Sequence, residues 1–255
     1  MVHPWQFEAD PEWAVAIVVA AIDYAVVVRA LDRRGLPTSS ARKASFATGL
    51  LLIAVALFSP LEHIALTSLL SVHLLQNVIL ADWAPPLLVL GLSPAMVAAA
   101  EGHRVVRAIT APPVALAYWL AAWYFLHVPV VYGYALTHRW ALGCEHLIFL
   151  TSGLAFWWPV LSPFRMRPAS KLIYLFAAFI AASPVSLALA LTQPQYSFYV
   201  HAPRLWGISP LEDQQLGAIT MAIEQAAIMF AACSIVFFRM LAEDEAADAG
   251  VGLGA

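Results

Sequence analysis

The sequence predicts an all-α integral membrane protein of seven transmembrane helices, with its N-terminus outside and its C-terminus inside. Three observations carry this. Of its 255 residues 62% are hydrophobic and only 11% charged, whereas soluble domains carry about 25% charged residues, and mean hydropathy is +0.78. The apolar residues gather into seven segments, at 13–31, 44–61, 66–91, 111–127, 140–160, 170–191 and 213–238, and a crossing helix needs ~20 such residues. Lys and Arg are split unevenly between the two sets of loops, eleven against two, and the richer side is cytoplasmic by the positive-inside rule.

Taken in order, the opening "MVHPWQFEADPEW" lacks a basic start and a short apolar core, so no signal peptide is expected. Segment one holds Asp23 near its middle, read as a carboxyl hydrogen-bonded within the bundle. Segment three is interrupted by Ala84-Pro85-Pro86. Proline lacks an N–H and clashes one turn back, so a kink or an early end is expected there. "SPAMVAAAEGHRVVRAIT" reads as a short amphipathic surface stretch. Residues 192–212 form the longest outer loop, rich in Pro and aromatics. The membrane domain is read as 1–240, and 241–255 as an acidic, disordered cytoplasmic tail. No internal repeat or separate soluble domain is visible. Cys144 and Cys233 fall in different segments and suggest no disulfide framework.

This topology sorts the eight histidines. His3, His63, His127, His138 and His201 fall at or near the outer surface, and His73 and His146 about two turns below it. Only His103 is on the inner side. The run "SVHLLQNVIL" puts His73, Gln76 and Asn77 on one helix face by their i, i+3, i+4 spacing. Such groups serve either as interhelical hydrogen-bond partners or as ligands. For His73 and His146, expected at similar depth with His127 and His138 nearby, a metal site is favoured. Glu145 and Cys144 adjoin it, and Met221 is a candidate soft ligand. Asp213 and Glu224 are eleven residues apart and share a helix face. Proton relay, pairing with a partner subunit and a neutral carboxyl bonded inside the bundle are open readings for them.

The stretches "LFSPLEHIA", "SVHLLQNVILADWAPPLLVLG", "HVPVVYGYAL", "EHLIFLTSGLAFWWPVLSP" and "SPLEDQQLGAITM" come in this order and cover most of the chain. Together they resemble the CtaG-type family, the seven-helix cytochrome c oxidase assembly factors of bacteria. The carrying features are the His-x-x-Gln run with Ala-Pro-Pro, a Phe-Trp-Trp-Pro turn and the Asp-Gln-x-Leu-Gly start of the last helix. The resemblance implies a non-enzymatic role in maturing a haem-copper oxidase. It would handle or deliver copper on the outer, periplasmic side of the bacterial inner (cytoplasmic) membrane. The implied partners are cytochrome c oxidase subunits and the lipid bilayer. By motif match, His73, Gln76, His127, His146, Asp213 and Gln214 are the positions carried over.

One departure stands out. The family run typically reads His-Met-x-Gln-His, and this chain has Asn77 where the second His is expected. A hard amide oxygen is a poor ligand for Cu(I). Ala222 is a milder departure, at a place where an aromatic residue often follows the Met. Two alternatives stand beside copper: a metal-free structural chaperone or accessory subunit of the oxidase, and a haem b protein ligated by His73 and His146. A retinal protein is excluded, because the only lysines, Lys43 and Lys171, lie at loop ends. No hydrolase motif, nucleotide-binding motif or basic patch suited to nucleic acid is present.

Overall fold

Six helices are long and apolar enough to cross a membrane, and a seventh crossing results if one sharply bent helix pair counts as a single span. The chain is thus an all-helical, multi-pass membrane protein with no strand among the described residues. The structure is a computed structural model, and residues 4–7 and 10–252 are described. His3 lies outside them.

Helix α1 (Pro11–Asp32) begins at Asp10, whose carboxylate accepts from Glu12 N at 3.2 Å, with Pro11 at the first helical position. It lies against the bundle along one narrow face. Tyr24 stacks on Phe46 and donates to Gly91 O at 2.9 Å, and Val28 is its one buried residue. Asp23 is exposed and has no hydrogen bond or ion pair among the described residues. The expectation of a carboxyl bonded inside the bundle is overturned, because α1 turns that face away from its neighbours.

Helix α2 (Ser40–Phe58) is followed by a short α3 (Pro60–Thr67). The expected third span therefore starts later, at α4 (Leu70–Val78), and continues through a π-helical turn (Ile79–Trp83) into α5 (Ala84–Gly91). Pro85 and Pro86 neither end nor sharply kink it. The wide turn pairs Ala84 N with Ile79 O, five residues back. The two prolines then occupy the first turn of α5, where a missing N–H has no partner to lose. Gly153 fits against this turn. A Cβ there would stand 2.1 Å from Ala81 O and 2.7 Å from Pro85 Cγ.

Two short surface helices follow, α6 (Pro94–Gly102) and α7 (Arg104–Ile109). The fourth segment is α8 (Pro112–Leu126), at 15 residues only about 22 Å long. It meets α9 (Pro129–Thr137) at 76°. Pro129 sets the bend, because the residue before a proline is pushed out of helical geometry, and Val128 has ψ 125. Helix α10 (Arg139–Leu161) carries Phe156-Trp157-Trp158-Pro159 inside its last two turns, so the expected turn there is helix. Pro159 cannot donate to Ala155 O, and because it sits two residues from the C-terminal end the loss falls in the last turns and leaves the rest of the helix intact. Helix α11 (Pro168–Leu191), a single-turn α12 (Ser197–His201) and α13 (Pro210–Gly252) complete the chain. The acidic stretch from 241, expected to be disordered, continues α13 to Gly252; its Ala- and Glu-rich sequence has high helix propensity.

The α4–α5 span is central, packed on α2, α10 and α13, while α13 also lies along α11. Stacked aromatic rings, Tyr174, Phe156, Trp119, Trp123 and then His127, run through the core between α8, α10 and α11. At the arginine-rich end, Glu101 ties α6 to the bundle. It accepts from Arg165 Nε at 2.7 Å and Trp158 Nε1 at 2.8 Å, and pairs with Arg165 Nη2 at 2.5 Å. Burial acts to raise this carboxyl, and the Arg165 and Trp158 donors outweigh it, holding Glu101 below the usual carboxylate range.

Gly153→Ala should destabilise the fold by about 1–3 kcal/mol, the scale of overpacking, read as a lower unfolding temperature in detergent. Gly133→Ala, with open space around the added carbon, should not. Glu101 is depressed in the folded state, so its contribution is present above the usual carboxylate range and is lost as pH falls through its folded value. Amide exchange over residues 94–110 should accelerate on acidification below the usual carboxylate range, and Arg165→Met should bring the same acceleration at neutral pH.

Candidate functional site

At the end of the bundle opposite the arginine-rich loops, the first turns of α4 carry His73, Gln76 and Asn77 at 0%, 0% and 1% exposure. Their common face points into the protein. The sequence around them explains how α4 starts in the apolar interior. Leu69 offers no side-chain cap, yet the first N–H groups of a helix need acceptors. Asp213, from α13, supplies both of its oxygens: Leu70 N donates at 2.8 Å and Ser71 N at 3.0 Å. The next residue, Gln214, does the same for the end of α11. Its Nε2 donates to Leu189 O at 2.8 Å and Thr192 O at 3.2 Å, and its Oε1 accepts from Gln195 N at 2.7 Å.

Gln76 Nε2 donates to Ala56 O at 2.6 Å and to Glu62 Oε2 at 2.5 Å, joining α2, α3 and α4. Asn77 Nδ2 donates to Glu145 Oε1 at 3.1 Å. That same oxygen stands 3.5 Å from His73 Nε2. The rings of His73 and His146 are 6.2 Å apart, centre to centre and edge-on. Tyr132 lies between His73 and His127, with ring centres 4.9 and 6.3 Å away.

Proton bookkeeping fixes two tautomers. Tyr199 has one hydroxyl proton and gives it to Ala65 O at 2.7 Å. Burial, then the nearby Glu145 carboxyl, holds this phenol well above its usual range, so the proton stays. His73 Nδ1, 2.9 Å from the same hydroxyl, must therefore be the donor in that contact. His127 Nδ1 likewise donates to Trp123 O at 2.6 Å, because a carbonyl only accepts. In the neutral imidazoles each Nε2 is then a bare lone pair. Both are buried and without a hydrogen-bond partner, as is His146 Nε2.

The remaining predicted residues separate. Met221 is buried in the apolar core, one turn inward from Gly217, which packs on Ser71 and Leu74. Cys144 is exposed and points away from Glu145 and His146. His138 and His201 are exposed, whereas His63 is buried. Glu224 accepts from Trp83 Nε1 at 2.9 Å, beside Asp82 of the π-helical turn. It thus faces the same span as Asp213, but at the level of the prolines. Among the described residues, no three His, Cys, Asp or Glu side chains are close enough to hold one metal ion together.

Several contributors escaped sequence reasoning. Asp82, fully buried, was legible as an acid inside an apolar run. Glu62 marks the same signal in "SPLEH". Tyr132, Tyr196 and Tyr199 carried none: they lie in segments read as loop or loop edge, and only the folding of α9 and α12 over the bundle buries them.

This is a polytopic membrane protein whose Lys- and Arg-poor loops cover a buried histidine–carboxylate–tyrosine cluster, a class defined by an intramembrane site rather than by a soluble active centre. The family model described as cytochrome c oxidase caa3 assembly factor (Caa3_CtaG) matches residues 22–243, and the chain belongs to that family. No curated protein and no solved structure is found to match it.

Asp213→Ala should expose two α4 N–H groups and cost at least ~1–2 kcal/mol, the scale of a lost helix cap. Faster amide exchange confined first to residues 70–74 would report it. Asp213→Asn, which keeps one acceptor oxygen, should lose less.

Proposed function

We propose that this assembly factor takes up copper and passes it on during maturation of a cytochrome c oxidase, at the periplasmic side of the bacterial inner membrane. One observation carries the reading. His73 and His127 each donate Nδ1–H to a fixed oxygen and leave a buried Nε2 without a hydrogen-bond partner. That is the form in which histidine binds metal, with the second nitrogen held by an outer partner. An unsatisfied buried nitrogen costs about 1–3 kcal/mol, which an incoming cation offsets.

His146 is the natural companion of His73, because two imidazoles on one ion ~2 Å away place their ring centres about 6 Å apart. His127 and Met221 are candidate third ligands, reached by side-chain movement. An ion held by a pair, with its remaining ligands recruited, is bound weakly enough to be transferred, which suits cargo. The uneven Lys and Arg distribution supports the periplasmic placement.

The metal-free reading, a structural chaperone or accessory subunit, draws on the lack of a preformed three-ligand group among the described residues. Titration of the purified protein with Cu(I), with absorbance recorded, separates the readings. Copper uptake should fall on His73→Ala and His146→Ala, weaken about 10–100-fold on Tyr199→Phe through loss of the outer hydrogen bond, and strengthen on Asn77→His. No uptake by either the wild type or Asn77→His would overturn the copper proposal. A haem absorption band would favour haem b instead, and co-purification with the oxidase despite alanine at His73 and His146 would favour the chaperone.

A further inference from the structure

We infer that the outward face of α1 docks a transmembrane helix of another chain that carries a Lys or Arg side chain at the depth of Asp23. The inference rests on the assembly-factor family only for the existence of a membrane partner and is independent of the copper reading.

Asp23 is the thirteenth of the 22 residues of α1, about 18 Å from one end and 14 Å from the other. It is exposed and has no partner among the described residues. Only 6% of the apolar window of α1 is buried within the protein, so its outward face meets the hydrocarbon. In either protonation state a carboxyl there is an unsatisfied polar group in lipid. Asp is too short to reach the headgroups from that depth. The side chain therefore calls for a partner that the described chain does not supply.

The residues around it have the pattern of a helix-packing seam. Ala16, Val19, Asp23, Val26 and Ala30 recur at alternating spacings of three and four, and all five are exposed. That is the spacing of left-handed helix pairs, in which a single polar residue on the seam sets register. Ala16 and Ala30 at its ends permit close approach of a second backbone.

Charge complementarity selects the partner. Twelve of the thirteen Lys and Arg residues of this chain lie in loops, surface helices or the terminal turns of spans, and Arg239 of the long α13 lies near Lys171 in the first turn of α11, at the end of the bundle. A second copy therefore brings no cation to this depth, and a symmetric pairing through α1 would set Asp23 against Asp23. A cation on a different membrane chain satisfies the carboxylate.

The test uses the full chain in phosphatidylcholine vesicles with a synthetic single-span Leu/Ala peptide bearing one central Arg. Association is followed by energy transfer, and the same peptide with Leu at that place is the control. The Arg peptide should associate about threefold to thirtyfold more tightly than the control, the range of a polar contact between membrane helices. That advantage should vanish in Asp23→Leu and survive in Leu51→Ala, a change on the exposed surface of α2. Asp23→Lys should instead prefer a peptide with a central Glu. The proposal is overturned if the Arg peptide has no advantage, if the advantage persists in Asp23→Leu, or if the chain self-associates through Asp23 without peptide. Copper uptake by the same preparations should be equal in wild type and Asp23→Leu, so the two proposals fail separately.

Discussion

The position of everything at the histidine end depends on one carboxylate. The chain breaks between α3 and α4 at Ser68 and Leu69, at a depth where water is not freely available to solvate a helix start. Asp213 takes the Leu70 and Ser71 N–H groups, and its negative charge sits at the positive end of the α4 dipole. Gln214 beside it covers the carbonyls that end α11. Two consecutive side chains of α13 thus close the ends of two other spans. Because the bilayer demands that backbone groups be satisfied internally, the register of α13 sets the height of α4, and with it the height of His73, Gln76 and Asn77.

The second constraint lies at the other end of the same span. The π-helical turn absorbs Pro85 and Pro86 by shifting the backbone pairing from four residues to five. The shift leaves Ala81 O pointing at α10, and only a residue without Cβ lets that carbonyl approach. Gly153 is therefore paired with Pro85 as Asp213 is paired with Leu70. Both contacts fix the central span to a neighbour through backbone groups, adding to the bonds that Gln76 and Asn77 make to the surrounding helices.

The apolar segments, their ends within a few residues and the inward face of α4 were legible in the sequence, because lipid imposes length and composition directly. Residues 84–86 were misleading: a proline pair signals a break, but whether a helix stops or widens depends on a packing partner, here Gly153, 68 residues beyond Pro85. Asp23 misled for the same reason. An acid within a span calls for a partner, yet nothing local tells whether that partner lies in the same chain. The cluster was half legible. His73, His127 and His146 stood out by residue type, whereas Tyr132 and Tyr199 reach it only because α9 and α12 fold back over the bundle.

Asn77 takes on a meaning that its residue type alone did not suggest. As the residue in place of a second histidine, it looked like a dismantled ligand. In the structure it donates to Glu145 Oε1, the oxygen that faces His73 Nε2 at 3.5 Å. With Nδ1 of His73 committed to Tyr199, a neutral imidazole presents a lone pair to that oxygen. Two lone pairs 3.5 Å apart repel unless something positive lies between them, either a proton or a metal ion. A histidine at 77 would compete with Glu145 for that cation as a ligand. An asparagine offers a hard amide oxygen and an N–H, and Asn77 uses its N–H to hold the carboxylate in place. Asn77 therefore fixes the Glu145 carboxylate against His73 Nε2, and a cation placed between them would meet one imidazole nitrogen and one hard carboxylate oxygen.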